Sequence, residues 1–359
     1  MTDTTRPGHA AEERVKAFMA EFEAQWRIAA PAFEKRGTDR LSNPFKLWGE
    51  LMAQTKQNHF TDSSGVNFSQ SFSQPAEHGA EAEELVRSEV QGGVAYVLTR
   101  CTPPPTSFNE YTLHAQDADW KISSIATHYG EPTQPFVDRA TIEDHLLACS
   151  ADAPFTEMPR EEALLDEARN FTEREVRRDD GAEPTRTQVS PIGTLVTSTG
   201  ALSVRDFGYE NDDARPLTRT VAPGAYPVER VLGFGRNAAV RVRFSEMPPV
   251  SWHPAADPRG GHVIGVDTGT VCIVDYVAYA AMTRREKVAA YERFTEASRP
   301  AAAEIPLGGA DVGLAFDSGY GDGGYPVYWG VDAQGSVAQL GVDFMILADQ
   351  DDDGVLTHL

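Results

Sequence analysis

The chain has 359 residues, of which 41% are hydrophobic, enough for two domains of ordinary size with real cores. Its 54 acidic and 32 basic side chains give a formal net charge of -22. That balance argues against nucleic acid or an anionic membrane as partner, since both need a basic footprint; it suits a basic protein partner or cations, and it also serves plain solubility.

Val15, Phe18, Met19, Phe22 and Trp26 recur at helical spacing and predict one long helix, with Pro31 and Gly37 punctuating its end. A second, shorter helix is expected after Pro44, with Leu47, Trp48, Leu51 and Met52 on one side. Past the polar stretch from Asp62 to Ser73 the pattern turns to strands. Glu84–Val90 and Val94–Arg100 flank a Gly92-Gly93 turn; Tyr111–His114 and Trp120–Tyr129 flank a turn at Asp117–Asp119. In the last run Trp120, Ile122, Ser124, Ala126 and His128 share one face, and Lys121, Ser123, Ile125, Thr127 and Tyr129 the other. Neither face is decisively apolar, so the inner one stays open. His59, His114 and His128 are candidate bases, although a histidine on a strand is more often a satisfied structural residue.

Helices followed by an antiparallel meander make an α+β domain. This order, with the closing run Trp120-Lys-Ile-Ser-Ser-Ile125, resembles the nuclear-transport-factor-2-like (NTF2-like) superfamily, nearest its bacterial immunity-protein members, over roughly residues 8–132. The resemblance implies a cone of helices wrapped by a curved sheet, whose interior serves catalysis in some members and binding alone in others.

Residues 133–190 read as a connector packed on the second domain. A short helix is expected over Thr141–Cys149, and a better one from Pro159 carrying Leu164, Leu165, Ala168 and Phe171. Arg177–Pro184 is charged and turn-rich. From 191 to 359 the chain is β-rich. Thr199-Gly200 and Thr268-Gly269 each sit between strand-like runs and signal hairpins. Val240, Val242 and Phe244 alternate with Arg241 and Arg243, a half-buried strand with a basic outer face. One helix is expected over 276–297, then strands over Val312–Phe316, Tyr325–Val331 and Val337–Leu347. The pattern predicts a sandwich-like pair of sheets with one or two helices, ending in an acidic tail over 349–359.

Ile192-Gly-Thr-Leu195, Pro223–Val228, Trp252 with Ala255, Val266–Gly269 with Asp275, Gly319–Gly323 with Tyr325–Gly330, and Asp343-Phe344 recur as an ordered set. The set resembles a bacterial family known as domain of unknown function 4241 (DUF4241), over about residues 190–348. The family implies a label and a rough fold but no activity. Beside an immunity-type first domain, the pairing is similar to modular proteins of bacterial toxin–immunity systems.

Asp267, Asp275, Asp322 and Asp343 stand at strand ends, in turns or on a strand. Converging, they could hold a hard cation or a polar ligand, or act as an acid–base pair; apart, they cap turns. Asp343 lies inside an apolar run and is the first choice for a functional carboxylate. Trp252, Tyr325, Tyr328 and Trp329 could line a recognition surface or fill a core. Asp349, Asp351 and Asp353 match the start of a calcium loop, without the bidentate glutamate that should close it. They mark a weak site for Ca²⁺ or Mg²⁺, and no other cofactor is indicated. Gly233–Ala238 satisfies G-x-G-x-x-A but precedes a strand, which removes the dinucleotide reading. Ser318 lacks a nucleophile-elbow signature.

Cys101, Cys149 and Cys272 are odd in number and widely spaced, and read as structural thiols of a reducing compartment. The first residues lack an apolar signal core, and no apolar run reaches membrane-span length, so a cytoplasmic address is expected. The functional expectation is a non-enzymatic binding protein of bacterial toxin-immunity type that recognises a protein partner. The alternative is a small-ligand or divalent-cation binder, or an enzyme, using the C-terminal carboxylates.

Overall fold

The structure is a computed structural model that describes residues 8–34, 43–102, 106–116, 119–157, 165–178, 183–208, 214–296, 302–350 and 356–359. It is a mixed α+β fold with a curled, half-barrel antiparallel sheet and few helices. Its contacts divide it into two compact units, Met1–Pro135 and Phe136–Leu359.

The first unit holds α1 (His9–Glu34), α2 (Pro44–His59), β1 (Glu83–Gln91), β2 (Val94–Cys101), β3 (Phe108–Gln116) and β4 (Asp119–His128). The strands form an antiparallel meander in the order β1-β2-β3-β4. The apolar stripe of α1 is its buried face: Val15, Phe18, Met19 and Phe22 pack with Trp48, Met52, Tyr111, Leu113 and Ile122 in one core. Pro31 does not end α1, which runs through it to Glu34. Its missing N–H removes one intrahelical bond, only three residues before the end of the helix. Gly37 lies outside the described residues. Asn43 caps α2, its side chain accepting from the Phe45 N–H at 3.2 Å, with Pro44 in the first turn. Asn43→Ala is expected to cost about 1 kcal/mol, read from a denaturant titration.

A bulge resolves the ambiguous faces of β4. Leu113 pairs with Ile122 but Thr112 pairs with Ser124, so Ser123 is an extra residue. The inward set therefore changes parity across it, and Trp120, Ile122 and Ile125 all meet the core. A strict alternation could not find that face.

The second unit contains α3 (Arg139–Leu147), α4 (Glu167–Asn170), β5 (Glu175–Val176), β6 (Thr185–Arg186), β7 (Gln188–Thr197), β8 (Leu202–Asp206), β9 (Gly224–Gly233) and β10 (Arg236–Arg243). Then come β11 (Ser251–Pro254), β12 (Val263–Val266), β13 (Thr270–Asp275), α5 (Tyr276–Ala280), α6 (Arg284–Glu296), β14 (Ala302–Gly308) and β15 (Asp311–Asp317). It closes with β16 (Gly323–Val331), β17 (Val337–Asp343), β18 (Ala348–Gln350) and β19 (Leu356–His358).

The expected pair of sheets is a single 11-stranded one, ordered β11-β16-β17-β10-β9-β7-β15-β13-β8, with β12 also on β16 and β14 on β15. The two Thr-Gly turns are not hairpins. β7 pairs with β9 and β15 whereas β8 pairs with β13, and β12 pairs with β16 rather than β13. Gly200 has φ +73, and a Cβ there would lie 1.9 Å from the Val221 carbonyl oxygen. This turn is pressed against another segment, and its flanking strands diverge. Thr268 likewise turns its hydroxyl to Asp206 and the Phe207 carbonyl, the latter at 2.8 Å.

The basic outer face expected on β10 is also covered. Arg241 is 7% exposed, paired with Glu229 at 2.7 Å and Glu167 at 2.6 Å, and stacked on Phe171 at 4.4 Å. Leu165 and Phe171 join the sheet core, and a Cβ at Gly341 would meet Leu165 at 2.6 Å. Only part of the helix expected from Pro159 falls in the described residues: α4, capped by Asp166, while Pro159 and Leu164 lie outside them. The helix expected over 276–297 is broken into α5 and α6. Glu286 N–H bonds Thr283 Oγ1 at 3.3 Å and Thr283 N–H bonds Glu286 Oε2 at 2.7 Å, a capping box legible in Thr283-Arg-Arg-Glu286. The acidic tail is corrected too: β18 and β19 pair as an antiparallel hairpin, and Leu359 N–H bonds the Leu347 carbonyl.

Candidate functional site

Curling brings opposite margins of the large sheet together. β8 ends the strand order, β12 hangs on β16 near the other end, and the two lie side by side without pairing. The cleft at this seam has a volume of about 390 Å³. Ser203, Arg205 and Asp206 come from β8, Arg215 from the strap that follows, and Asp257, Arg259 and His262 from an excursion between β11 and β12. That excursion leaves and rejoins the same edge of β16: Ala255 N–H bonds the Val327 carbonyl, and Val327 N–H bonds the His262 carbonyl. A tight turn, with Asp257 N–H on the Gly261 carbonyl and Gly260 N–H on the Asp257 carbonyl, presents Asp257 and Arg259 to the cleft.

Asp206 clasps one end of the seam, accepting from Asp267 N–H at 2.8 Å and Thr268 Oγ1 at 2.5 Å. Asp257 accepts from Arg259 N–H at 2.8 Å. Burial holds His262 below the ordinary histidine range, favouring a neutral ring. Asp267 differs from these groups. It is exposed at the cleft, and among the described residues its carboxylate makes no hydrogen bond or ion pair. The wall thus mixes three guanidinium groups, three carboxylates and one imidazole, with one carboxylate unengaged.

The four candidate aspartates do not gather. Only Asp267 lines the seam. Asp275 is 0% exposed and caps α5, accepting from Thr197 Oγ1, Thr199 N–H, Thr199 Oγ1 and Ala278 N–H at 2.5–3.0 Å. Asp322 is exposed in the glycine-rich turn. Asp343, the first choice from sequence, is 2% exposed at the end of β17, where its Oδ1 accepts from Met345 N–H at 2.8 Å. This Asx-turn makes it turn-like after all, and burial pushes its carboxyl up to about 7. Among the described residues no group of three His, Cys, Asp or Glu side chains is arranged to hold a metal ion. Asp349 pairs with Thr357 in the terminal hairpin; Asp351 and Asp353 lie outside the described residues.

The aromatic candidates are core. Tyr325, Tyr328 and Trp329 are 2–3% exposed, and half-buried Trp252 stacks on Phe171 at 6.3 Å. Ser318 is fully buried and donates to the Gly321 carbonyl at 2.6 Å, so its hydroxyl holds the turn.

In the first unit the interior is filled rather than hollow: Phe18, Phe22, Phe60 and Phe68 are buried, and Trp26 stacks on Phe72. His59 Nδ1 accepts from Arg14 at 3.2 Å, which leaves its Nε2–H to donate to Glu21 at 2.9 Å. Burial, with Arg14 and Lys121 nearby, holds His59 below its ordinary value despite Glu21. His114 is half-buried on β3, and His128 is buried at the end of β4. Sequence reading missed His78, whose Nδ1 lies 2.5 Å from Glu83; Tyr111 and Thr99 donate to the same carboxylate. Burial raises Glu83, but these bonds outweigh it and hold the carboxyl below its ordinary value. With every carboxylate oxygen engaged, this cluster is a satisfied polar core. The seam arginines were missed because no local pattern links β8, the strap and the excursion; they converge only through the curl.

Residues 195–342 match the family described as Protein of unknown function (DUF4241). No curated protein and no solved structure matches the chain. No described helix is long and apolar enough to cross a membrane.

Proposed function

We propose that the chain is a non-enzymatic binding protein of bacterial toxin-immunity type, and that its seam cleft receives a basic group of a protein partner. The observation carrying this reading is Asp267, an exposed carboxylate at the cleft that makes no hydrogen bond or ion pair among the described residues. The net charge of -22 favours encounter with a basic partner, and the arginines of the wall restrict which cation fits. Two helices with a four-stranded meander are consistent with an NTF2-like first domain, which this reading adopts. The test is capture of a specific partner by the full chain, compared with Asp267→Asn. The substitution is expected to weaken association by about tenfold, roughly 1.4 kcal/mol, with a reduced dependence on salt. Equal capture by both proteins at every salt concentration overturns it.

The volume of the seam favours a second reading, a small polar ligand bound without a protein partner. Thermal melting with a metabolite panel and with Ca²⁺ or Mg²⁺ separates the two. A ligand at 100 times its Kd adds about 2.7 kcal/mol of stability, whereas a protein-only site leaves the panel flat.

A further inference from the structure

We propose a second binding site, at the tip of the β9–β10 hairpin, for a mononucleotide: phosphate on Arg230 and Arg236, base on the face of Phe234. A cleft of about 600 Å³ opens there, lined by Arg230, Leu232, Phe234, Arg236, Asn237 and Asp317 among others, and it shares no lining residue with the seam.

Charge is the first argument. The chain is strongly acidic, yet the described lining of this cleft sets two arginines against one carboxylate, Asp317. Arg230 is half-buried, and its Nε donates only a long bond, 3.4 Å, to Ser190 Oγ among the described residues. Arg236 is exposed and donates to the Gly319 carbonyl at 2.8 Å. Among the described residues neither guanidinium has a carboxylate within ion-pair reach. Arg178 stands beside them, donating to Tyr320 OH at 2.7 Å. Guanidinium forks without an ion-pair partner among the described residues match a phosphate group in both charge and geometry.

The backbone is the second. Phe234 and Gly235 form the two-residue turn between paired Gly233 and Arg236, with φ of +51 and +73. Glycine, asparagine or aspartate ordinarily fills the first of these positions, and a bulky side chain there is an outlier. The strain places an aromatic ring at the cleft, with the Arg178 guanidinium stacked against it at 4.5 Å. Tyr320, 51% exposed, lies under Arg236 at 5.5 Å. The result is an alternation of aromatic and guanidinium faces suited to a planar ring.

The polar groups on the wall are the third. Asp317 Oδ1 accepts from Gly319 N–H at 3.2 Å, leaving its other oxygen for a ligand hydroxyl. Asn237 is 1% exposed; its Nδ2 donates to the Asp317 carbonyl at 3.0 Å, and its Oδ1 has no protein partner.

Calorimetric titration of the full chain with AMP, ribose 5-phosphate and inorganic phosphate tests this. Saturable AMP binding is expected, at least tenfold tighter than the other two, and weakened at least tenfold in Arg230→Ala and in Arg236→Ala. Arg236→Lys should recover part of the loss, and each variant must melt as the parent does; where an alanine variant melts lower, the lysine variant carries the comparison. Phe234→Leu should remove the preference for AMP over ribose 5-phosphate. Equal affinity for all three probes overturns the nucleotide in favour of a bare phosphate site. No saturable binding at millimolar concentration, or binding indifferent to both arginines, overturns the site. Asp267→Asn should leave AMP binding unchanged, so failure here and failure of the seam are read separately.

Discussion

Asp275→Ala is expected to lower the melting temperature by roughly 10 °C, the loss of about 3–5 kcal/mol in a unit of this size. The carboxylate is completely buried and is the common acceptor for two hydroxyls and two backbone N–H groups. It ties the turn after β7, through Thr197 and Thr199, to the first turn of α5. Alanine leaves those donors buried without an acceptor, and unmade bonds of this kind cost more than made ones contribute. Asp275→Asn preserves shape and one acceptor oxygen, so it should lose less than alanine. Thermal melts of the two variants at neutral pH decide the matter. A fall of only a degree or two in Asp275→Ala would mean that the turn repacks and that the four bonds carry little net stability.

The second large effect is a dependence on pH at Asp343. Its carboxyl ionises near the ordinary 3.8 when unfolded and at about 7 when folded, because burial disfavours the charge and one Met345 N–H only partly offsets this. The folded state therefore holds a proton that the unfolded state has released. Stability from this group is greatest below pH 4, declines as pH rises from 4 to 7, and is flat above, for a total of about 4 kcal/mol. Asp343→Asn removes the ionisation. The variant should match the parent near pH 4, and near pH 8 it should exceed it by up to about 4 kcal/mol. Denaturant titrations at both pH values measure this. His59 and Glu83 drive the parent the other way, because their lowered folded values favour higher pH. The difference between variant and parent isolates Asp343. An equal gap at pH 4 and pH 8 would show that its carboxyl is not buried in the charged form.

Both aspartates were visible in the sequence, which left each open between a ligand carboxylate and a turn cap. An aspartate in an apolar run signals that something must satisfy it, but not what. Here backbone N–H groups, joined at Asp275 by two threonine hydroxyls, supply the partners. Asp267 was read together with them, yet it alone reached an open cleft. That outcome depends on β12 running beside β8, a contact between segments about sixty residues apart.

Local pattern determined the rest more reliably. The stripe from Val15 to Phe22 fixed the buried face of α1, because a helix repeats its direction every few residues whatever surrounds it. The strand runs of the first unit, and Pro44 at the start of α2, followed from the same short-range stereochemistry. The Gly92-Gly93 turn belongs with them: both residues have positive φ, and β1 pairs with β2 across it. What a strand pairs with is a different matter. Thr199-Gly200 and Thr268-Gly269 reverse the chain just as a hairpin does, but each is docked sideways, and the free edge of each strand finds a distant neighbour. Turn chemistry sets the bend, whereas pairing is settled by which distant edges can share a core. The sequence by itself therefore determined the two helices of the first unit, most of the strands and the charge of this protein. Only the tertiary structure decided the single curled sheet, the burial of Arg241 and the aromatic run, and the cleft with its arginines, because each depends on residues that chain distance keeps apart and packing alone brings together.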